Sequence, residues 1–200
     1  MSSNIKVVTF TGASIRTYIP SIAKLRTEVF REYPFLYAGD TKYENKYLKK
    51  LTRCKDAIAV LIFDGPKIVG SSIGLPLEEE AAEIQQPFLE NGHNPADYFY
   101  LGDSVLLKPY RSRGLGHHFF DLREAHVKHL KRFQHICFCT VVRPKNHPRR
   151  PKEPTISLEQ FWKKRGYAQH PKFKCFISWR DLDEEKETPK PRVFWIKENL

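Results

Sequence analysis

The sequence predicts one domain of mixed α/β architecture, and three observations carry that expectation. Strand-like runs alternate with amphipathic helical runs through the second half of the chain, so part of the sheet is expected to be parallel. Two apolar runs, AIAVLIF (57–63) and KIVGSSIGL (67–75), flank Asp64-Gly65-Pro66, a hairpin signal that calls for antiparallel pairing in the first half. No repeat, low-complexity tract or linker divides the 200 residues, a length that buries one sizeable core.

The elements follow in order. IKVVTF (5–10) is rich in β-branched residues and reads as the first strand. A helix is expected from Pro20, where a missing N–H costs nothing, with Ile22, Leu25, Val29 and Tyr33 on one face and Pro34 as its stop. Thr41 and Glu44 have capping-box spacing ahead of a second helix carrying Tyr43, Tyr47, Leu48 and Leu51. After the hairpin, EEEAAEIQQ (78–86) reads as a short acidic helix stopped by Pro87. YFYLGDSVLL (98–107) is a long strand, and residues 116–131 form a helix with Phe119, Leu122, His126 and Leu130 near one face. QHICFCTVV (134–142) is the next strand. Ser157 and Gln160 have the spacing to cap a short helix ending at Gly166. KFKCFISW (172–179) and RVFWIK (192–197) are the last strands, with the charged run 181–191 a solvated loop between them.

Composition narrows the classes. Lys and Arg number 34 against 23 acidic residues, a formal net charge of +11, which suits an anionic partner: a phosphorylated cofactor, nucleic acid, an acidic substrate or a membrane surface. The start, MSSNIKVVTF, lacks the apolar core of a signal peptide, and the apolar run AIAVLIF is far too short to span a bilayer. Cys54, Cys137, Cys139 and Cys175 have no framework spacing and read as reduced thiols of a cytoplasmic protein. His135, Cys137 and Cys139 alternate along one strand, and with His147 they raise a zinc site. Ligands two apart on a straight strand rarely converge on one ion, so no metal is expected and the cysteines read as core.

The stretch PYRSRGLGHHFF (109–120) joins the long strand to the long helix. N–H groups at a helix start have no internal partner and carry the positive end of the helix dipole, so a glycine-rich turn there makes a phosphate cradle. Gly114 and Gly116 allow close approach, and Arg111 and Arg113 offer charged donor forks. A dinucleotide fingerprint would need a third glycine where Phe119 stands, and a Walker loop would need Lys-Ser/Thr after Gly116, where His117-His118 stands. An ordinary helix cap with solvated arginines is the competing reading.

The run Arg111-Ser112-Arg113-Gly114-Leu115-Gly116 resembles the Arg/Gln-x-x-Gly-x-Gly/Ala signature of the GCN5-related N-acetyltransferases, on the turn where that family carries it. Phe161-Trp162-Lys163-Lys164-Arg165-Gly166-Tyr167 resembles the family's Phe-Tyr-x-x-x-Gly-Phe run, and the likeness covers nearly the whole chain. It implies a mostly antiparallel sheet splayed between strands four and five, with helices on both faces. Acetyl-coenzyme A would be the co-substrate, its arm along Ser104, Val105 and Leu106 and its diphosphate on the amides of Arg111, Ser112, Arg113, Gly114, Leu115, Gly116 and His117.

The activity so implied is acetyl transfer to a primary amine, of a small molecule or a protein, by direct attack on the thioester. The amine must first lose a proton, and Asp103 is the candidate base or amine holder; a structural acid at a strand bulge is the competing reading. Gly102 departs from relatives that carry an acidic pair there. The family's acidic tyrosine is replaced by Trp162, whose indole cannot yield a proton, and Tyr167 stands at a core position. Cys175 could serve as the acid if its strand faces the gap. Asn146 in the basic loop 143–154 is a candidate contact of the arm, against a plain solvated loop. In the resembled fold the run 31–47 forms one wall of the acceptor pocket, and its aromatics read equally as pocket or as core; Glu28 and Glu32 read as a solvated face or as contacts of a cationic acceptor. Two rival functions remain: a coenzyme A-binding domain with little catalysis, and a basic nucleic-acid-binding module. Membrane partners are not expected, and homodimers occur among fold relatives.

Overall fold

The computed structural model describes residues 4–152 and 158–198. The chain runs β1 (Ile5–Thr11), a 3-10 segment (Gly12–Tyr18), α1 (Ile19–Val29), α2 (Thr41–Leu48), β2 (Ile58–Asp64), β3 (Lys67–Pro76), α3 (Ala82–Glu90), β4 (Tyr98–Leu106), α4 (Leu115–Leu130), β5 (His135–Val141), α5 (Leu158–Lys164), β6 (Ala168–Trp179) and β7 (Thr188–Lys197). Seven strands form one sheet in the order β1-β2-β3-β4-β5-β7-β6. Every neighbouring pair is antiparallel except β4–β5, which is parallel. The mixed sheet expected from the strand–helix alternation is therefore present. The β2–β3 hairpin turns at Gly65, whose φ of +56° favours glycine.

Two apolar clusters cover the sheet. One gathers Ile19 and Ile22 of α1, Leu48 of α2, and Ile84 and Phe88 of α3. The other gathers Leu115, Phe119, Phe120 and Val127 of α4 around Phe99, Ile136 and Trp195, with Phe161 and Trp162 of α5 at its margin. α1 reaches the second cluster as well, through Leu25.

Several elements depart from expectation. α1 ends at Val29, short of Tyr33 and Pro34, and β6 begins at Ala168 rather than Lys172. The N-cap of α2 is Asp40, whose carboxylate accepts the Tyr43 N–H at 2.9 Å; Glu44 is no capping residue but turns inward and is 2% exposed. α3 starts at Ala82 and passes through Pro87 rather than stopping before it. Pro87 and Phe88 are buried, and Phe88 packs edge-on against Tyr98 and Phe194, which offsets the backbone bond that proline forfeits. The run 181–191 is no solvated loop throughout: Asp181 and Lys190 are buried, and β7 already begins at Thr188. Gly166, at φ +88°, closes α5 in the left-handed conformation expected of it, while Ser157 lies outside the described residues.

Candidate functional site

β4 and β5 pair over three positions only: Tyr98 with His135, Phe99 with Ile136 and Tyr100 with Cys137. Beyond Tyr100 the two strands diverge, while β4 stays paired to β3 as far as Leu106. One edge of β4 from Leu101 to Leu106 therefore has no strand partner among the described residues, a length of about 20 Å at about 3.3 Å per residue. Ser104, Val105 and Leu106 lie on this open stretch. Unpaired strand edges are costly unless something covers them, so the open V is a place where an extended ligand can add main-chain hydrogen bonds.

The mouth of the V is the glycine turn. Gly114, at φ +77°, is the N-cap of α4, and Ser112 also has positive φ, at +60°. The Arg111 N–H bonds to Lys108 O and the His117 N–H to Gly114 O. Between them, the amides of Ser112, Arg113, Gly114, Leu115 and Gly116 find no protein acceptor among the described residues. A Cβ built on Gly114 or Gly116 would meet nothing within 4 Å, so the space before these amides is open. Leu115 is buried and fixes the turn to the core while its neighbours stay exposed. Five free amides at the positive end of a 16-residue helix fit a diphosphate, and the open edge behind them fits its extended arm.

The two arginines have different roles. Arg113 is exposed beside the turn, its guanidinium 5.4 Å from the Tyr110 ring. Arg111 is tied down: it forks onto Glu32 at 2.7 and 2.8 Å and donates Nε–H to Leu106 O at 2.8 Å. Its guanidinium thus locks the turn to the end of α1 and to the last residue of β4, and the paired Arg111 holds the Glu32 carboxyl below the usual range. Glu32 thus stands exposed, as a solvated face would have it, but paired with Arg111 rather than free.

Asp103 lies at a bulge, where Gly74 faces Leu101 but Ser72 faces Ser104. Gly102 fits here because a Cβ would stand 3.0 Å from Ile73. The bulge is held by the buried Arg123 of α4, which donates to Ile73 O at 2.9 Å and Ser104 Oγ at 3.0 Å. Asp103 Oδ1 accepts from Arg26 of α1, and Arg26 Nε pairs with Glu44 at 2.5 Å. Asp103 Oδ2 is buried without a partner. Asp103 is thus anchored at the bulge by Oδ1, with Oδ2 left without a partner.

The α1–α2 link closes over this side. Arg143, just past β5, donates to Pro34 O at 2.8 Å and Phe35 O at 2.7 Å and forks onto Asp181 at 2.6 and 2.9 Å. Trp179 Nε1 donates to Phe35 O at 3.1 Å, and Tyr37 bridges to Asp181. The loop after β5 thus begins with a buried arginine clamp rather than in solvent; Asn146, farther along it, is exposed. Lys190 holds Asp181 and Glu184 from β7. Burial pushes the Glu184 carboxyl up, but its bonds to Lys190, the Asp181 amide and Thr188 outweigh that and bring it down to about 2. A carboxyl lowered by folding stabilises above its unfolded value and loses that contribution as pH falls towards the folded one. The urea midpoint is therefore expected to drop between about pH 4.5 and 2, and to drop less in Glu184→Gln. Equal acid sensitivity in the two proteins would show that the cluster contributes nothing.

At the apex of the V a further group comes together. Tyr100 OH and Cys139 Sγ are 3.1 Å apart, Arg192 Nη1 lies 3.6 Å from the same sulfur, and Cys175 is beside them. All four cysteines are free and buried. Trp162 packs against Phe138 and Trp195, and Tyr167 is buried with its hydroxyl on Glu124 at 3.1 Å, a core position as expected. Sequence reading missed Arg26, Arg123, Arg143 and Arg192. A weak signal existed for two of them: Arg26 follows Leu25 on the apolar side of α1, and Arg123 lies four residues after Phe119.

No helix among the described residues is long and apolar enough to cross a membrane. No known family profile matches the chain, and no curated protein does. Solved structures do. The ribosomal-protein-alanine N-acetyltransferase from Brucella melitensis aligns with a TM-score of 0.62 at 8% identity, covering 96% of this chain and 99% of that one. Arabidopsis thaliana NAA60 in complex with a bisubstrate analogue gives 0.60 at 7% identity, over 98% and 100%. The GNAT-like decarboxylase GphF in complex with isobutyryl-CoA gives 0.60 at 14% identity, over 96% and 98%. From the splayed sheet to the β6–β7 pair, this chain has the fold of the GCN5-related acetyltransferases along nearly its full length.

Proposed function

We propose that the protein is an acyl-coenzyme A-dependent N-acyltransferase that moves an acetyl group to a primary amine. One observation carries the reading: an unpaired strand edge leads from the apex of the V to five amides without acceptors. Ser112, Arg113, Gly114, Leu115 and Gly116 would hold the diphosphate, Ser104 to Leu106 the arm, and Arg111 would keep the turn in shape. Acetyl-coenzyme A supplies the activated acyl group. The amine attacks the thioester directly, positioned on the side closed by the α1–α2 link. Asp103, fixed by Arg26 and with Oδ2 free, takes the amine's proton. The surplus of positive charge favours an anionic carrier.

Acetyl-coenzyme A at a hundred times its Kd is expected to stabilise the protein by about 2.7 kcal/mol, a thermal shift of roughly 5–10 °C for a chain this size. Asp103→Asn is expected to keep that shift and to lose acyl transfer by about 10²–10⁴-fold in a free-thiol assay over an amine panel. A shift without turnover on any amine favours the coenzyme-binding domain. No shift, with nucleic-acid binding that falls steeply with salt, favours the basic module.

A further inference from the structure

The acid that must meet the leaving sulfur has no candidate at Trp162, so the groups at the apex of the V bear on the chemistry. A carrier with its diphosphate at residues 112–116 and its arm along the free edge of β4 ends near Tyr100, the last β4 residue paired to β5. Cys139 stands two residues beyond Cys137, the partner of Tyr100, and so is the first β5 residue past the apex on the same face as Tyr100. Its sulfur touches the Tyr100 hydroxyl at 3.1 Å and Arg192 Nη1 at 3.6 Å. Arg192 has no carboxylate partner among the described residues, and its Nε is buried without an acceptor. Its guanidinium lies 5.5 Å from the Phe35 ring and 5.1 Å from the Trp179 ring, so aromatic walls hold it in place. A shielded cation without a matching acid favours an anion beside it, and the adjacent thiol is the group able to become one.

We propose that the Cys139 thiol is the general acid of this site, giving its proton to the coenzyme A sulfur as the amine displaces it. This rests on the acyl-coenzyme A reading above. As the new N–C bond forms and the C–S bond breaks, the leaving thiolate takes the Cys139 proton. The Cys139 thiolate that remains is held by Arg192 and the Tyr100 hydroxyl, the nitrogen's proton goes to Asp103, and solvent later returns Cys139 to the thiol. The neighbours set its working range: Cys175, Arg192 and Tyr100 together bring the Cys139 thiol down to about 6 against the opposing effect of burial, so the proton-bearing form is the minor one at pH 7 and its share falls as pH rises above 6. Burial pushes Cys137, on the same strand, the other way. An acid easier to ionise than the thiol it protonates gives the transfer a downhill direction.

Two measurements test this. The methyl disulfide of coenzyme A places a reactive S–S bond where the thioester sulfur would sit, and thiol–disulfide exchange with it needs no added oxidant. Intact mass and peptide mapping are expected to find a disulfide adduct on Cys139, absent in Cys139→Ala and prevented by excess acetyl-coenzyme A. In the second, hydroxylamine serves as a small acceptor, and loss of thioester absorbance is followed. Cys139→Ala is expected to lose at least about a hundredfold in kcat with acetyl-coenzyme A. With acetyl-selenocoenzyme A, whose selenolate leaves without a proton, it is expected to stay within a few-fold of the parent protein. Equal losses on both esters, no loss on either, absent turnover in the parent protein, a stable acetyl group on Cys139, or an adduct mapping elsewhere would each overturn the assignment. The acyl-coenzyme A reading fails separately, by the absence of thermal stabilisation with acetyl-coenzyme A.

Discussion

Replacing Arg26 with methionine is expected to destabilise the protein by about 3–5 kcal/mol. Arg26 stands between Glu44 and Asp103 with its side chain 9% exposed, and the two acids are 3% and 11% exposed. Its guanidinium also lies 4.8 Å from the Phe30 ring and 5.0 Å from the Tyr47 ring. Methionine replaces much of the volume but leaves two buried carboxylates without a counter-charge, and each must then be desolvated alone. The cost is a penalty of unpaired charge rather than the net worth of the pair. Changing all three together, Arg26→Met with Glu44→Leu and Asp103→Val, is therefore expected to recover most of the loss in urea denaturation. If Arg26→Met alone unfolds at the parent midpoint, the triad is not the strut that holds Asp103 at the bulge.

Gly116→Val separates binding from folding. Gly116 lies in the first turn of α4, its φ is not positive, and a Cβ there meets nothing within 4 Å. Valine in a helix is less unfavourable than glycine, so the free protein is expected to keep or slightly gain stability, by up to about 0.5 kcal/mol. The side chain would occupy the space before the free amides of residues 112–116, so stabilisation by acetyl-coenzyme A is expected to vanish. Gly114→Val is the less clean experiment, because φ of +77° strains any β-branched residue whether or not a ligand binds. Unchanged stabilisation of Gly116→Val by acetyl-coenzyme A would remove the diphosphate from this turn.

What the sequence disclosed was local in origin. The glycine turn, the long strand before it and the helix after it are written in consecutive residues, so the strand-to-helix turn at Gly114, Leu115 and Gly116 was legible. Gly166 was legible for the same reason. Side chains that act across the fold were not. Arg26 and Asp103 are 77 positions apart, and Arg143 and Pro34 are 109 apart; no window of sequence joins them. Glu44 misled because capping spacing is common and the burial that claims its carboxylate is tertiary. Pro87 misled because the packing of Phe88 offsets a local penalty that sequence reasoning takes as final. Arg111 stands where it was expected but acts differently. Its charge faces Glu32, so the proposed diphosphate site rests on main-chain N–H groups rather than on that guanidinium.

Hydrogen exchange with and without acetyl-coenzyme A tests the central assignment most directly, because it reads the amides themselves. Protection is expected at Ser112 to Gly116 and along the free edge of β4 from Gly102 to Leu106. β1 and β2, on the far side of the sheet, should exchange as before. Protection confined to other segments, or exchange in the turn and on β4 unaltered by saturating acetyl-coenzyme A, would contradict it.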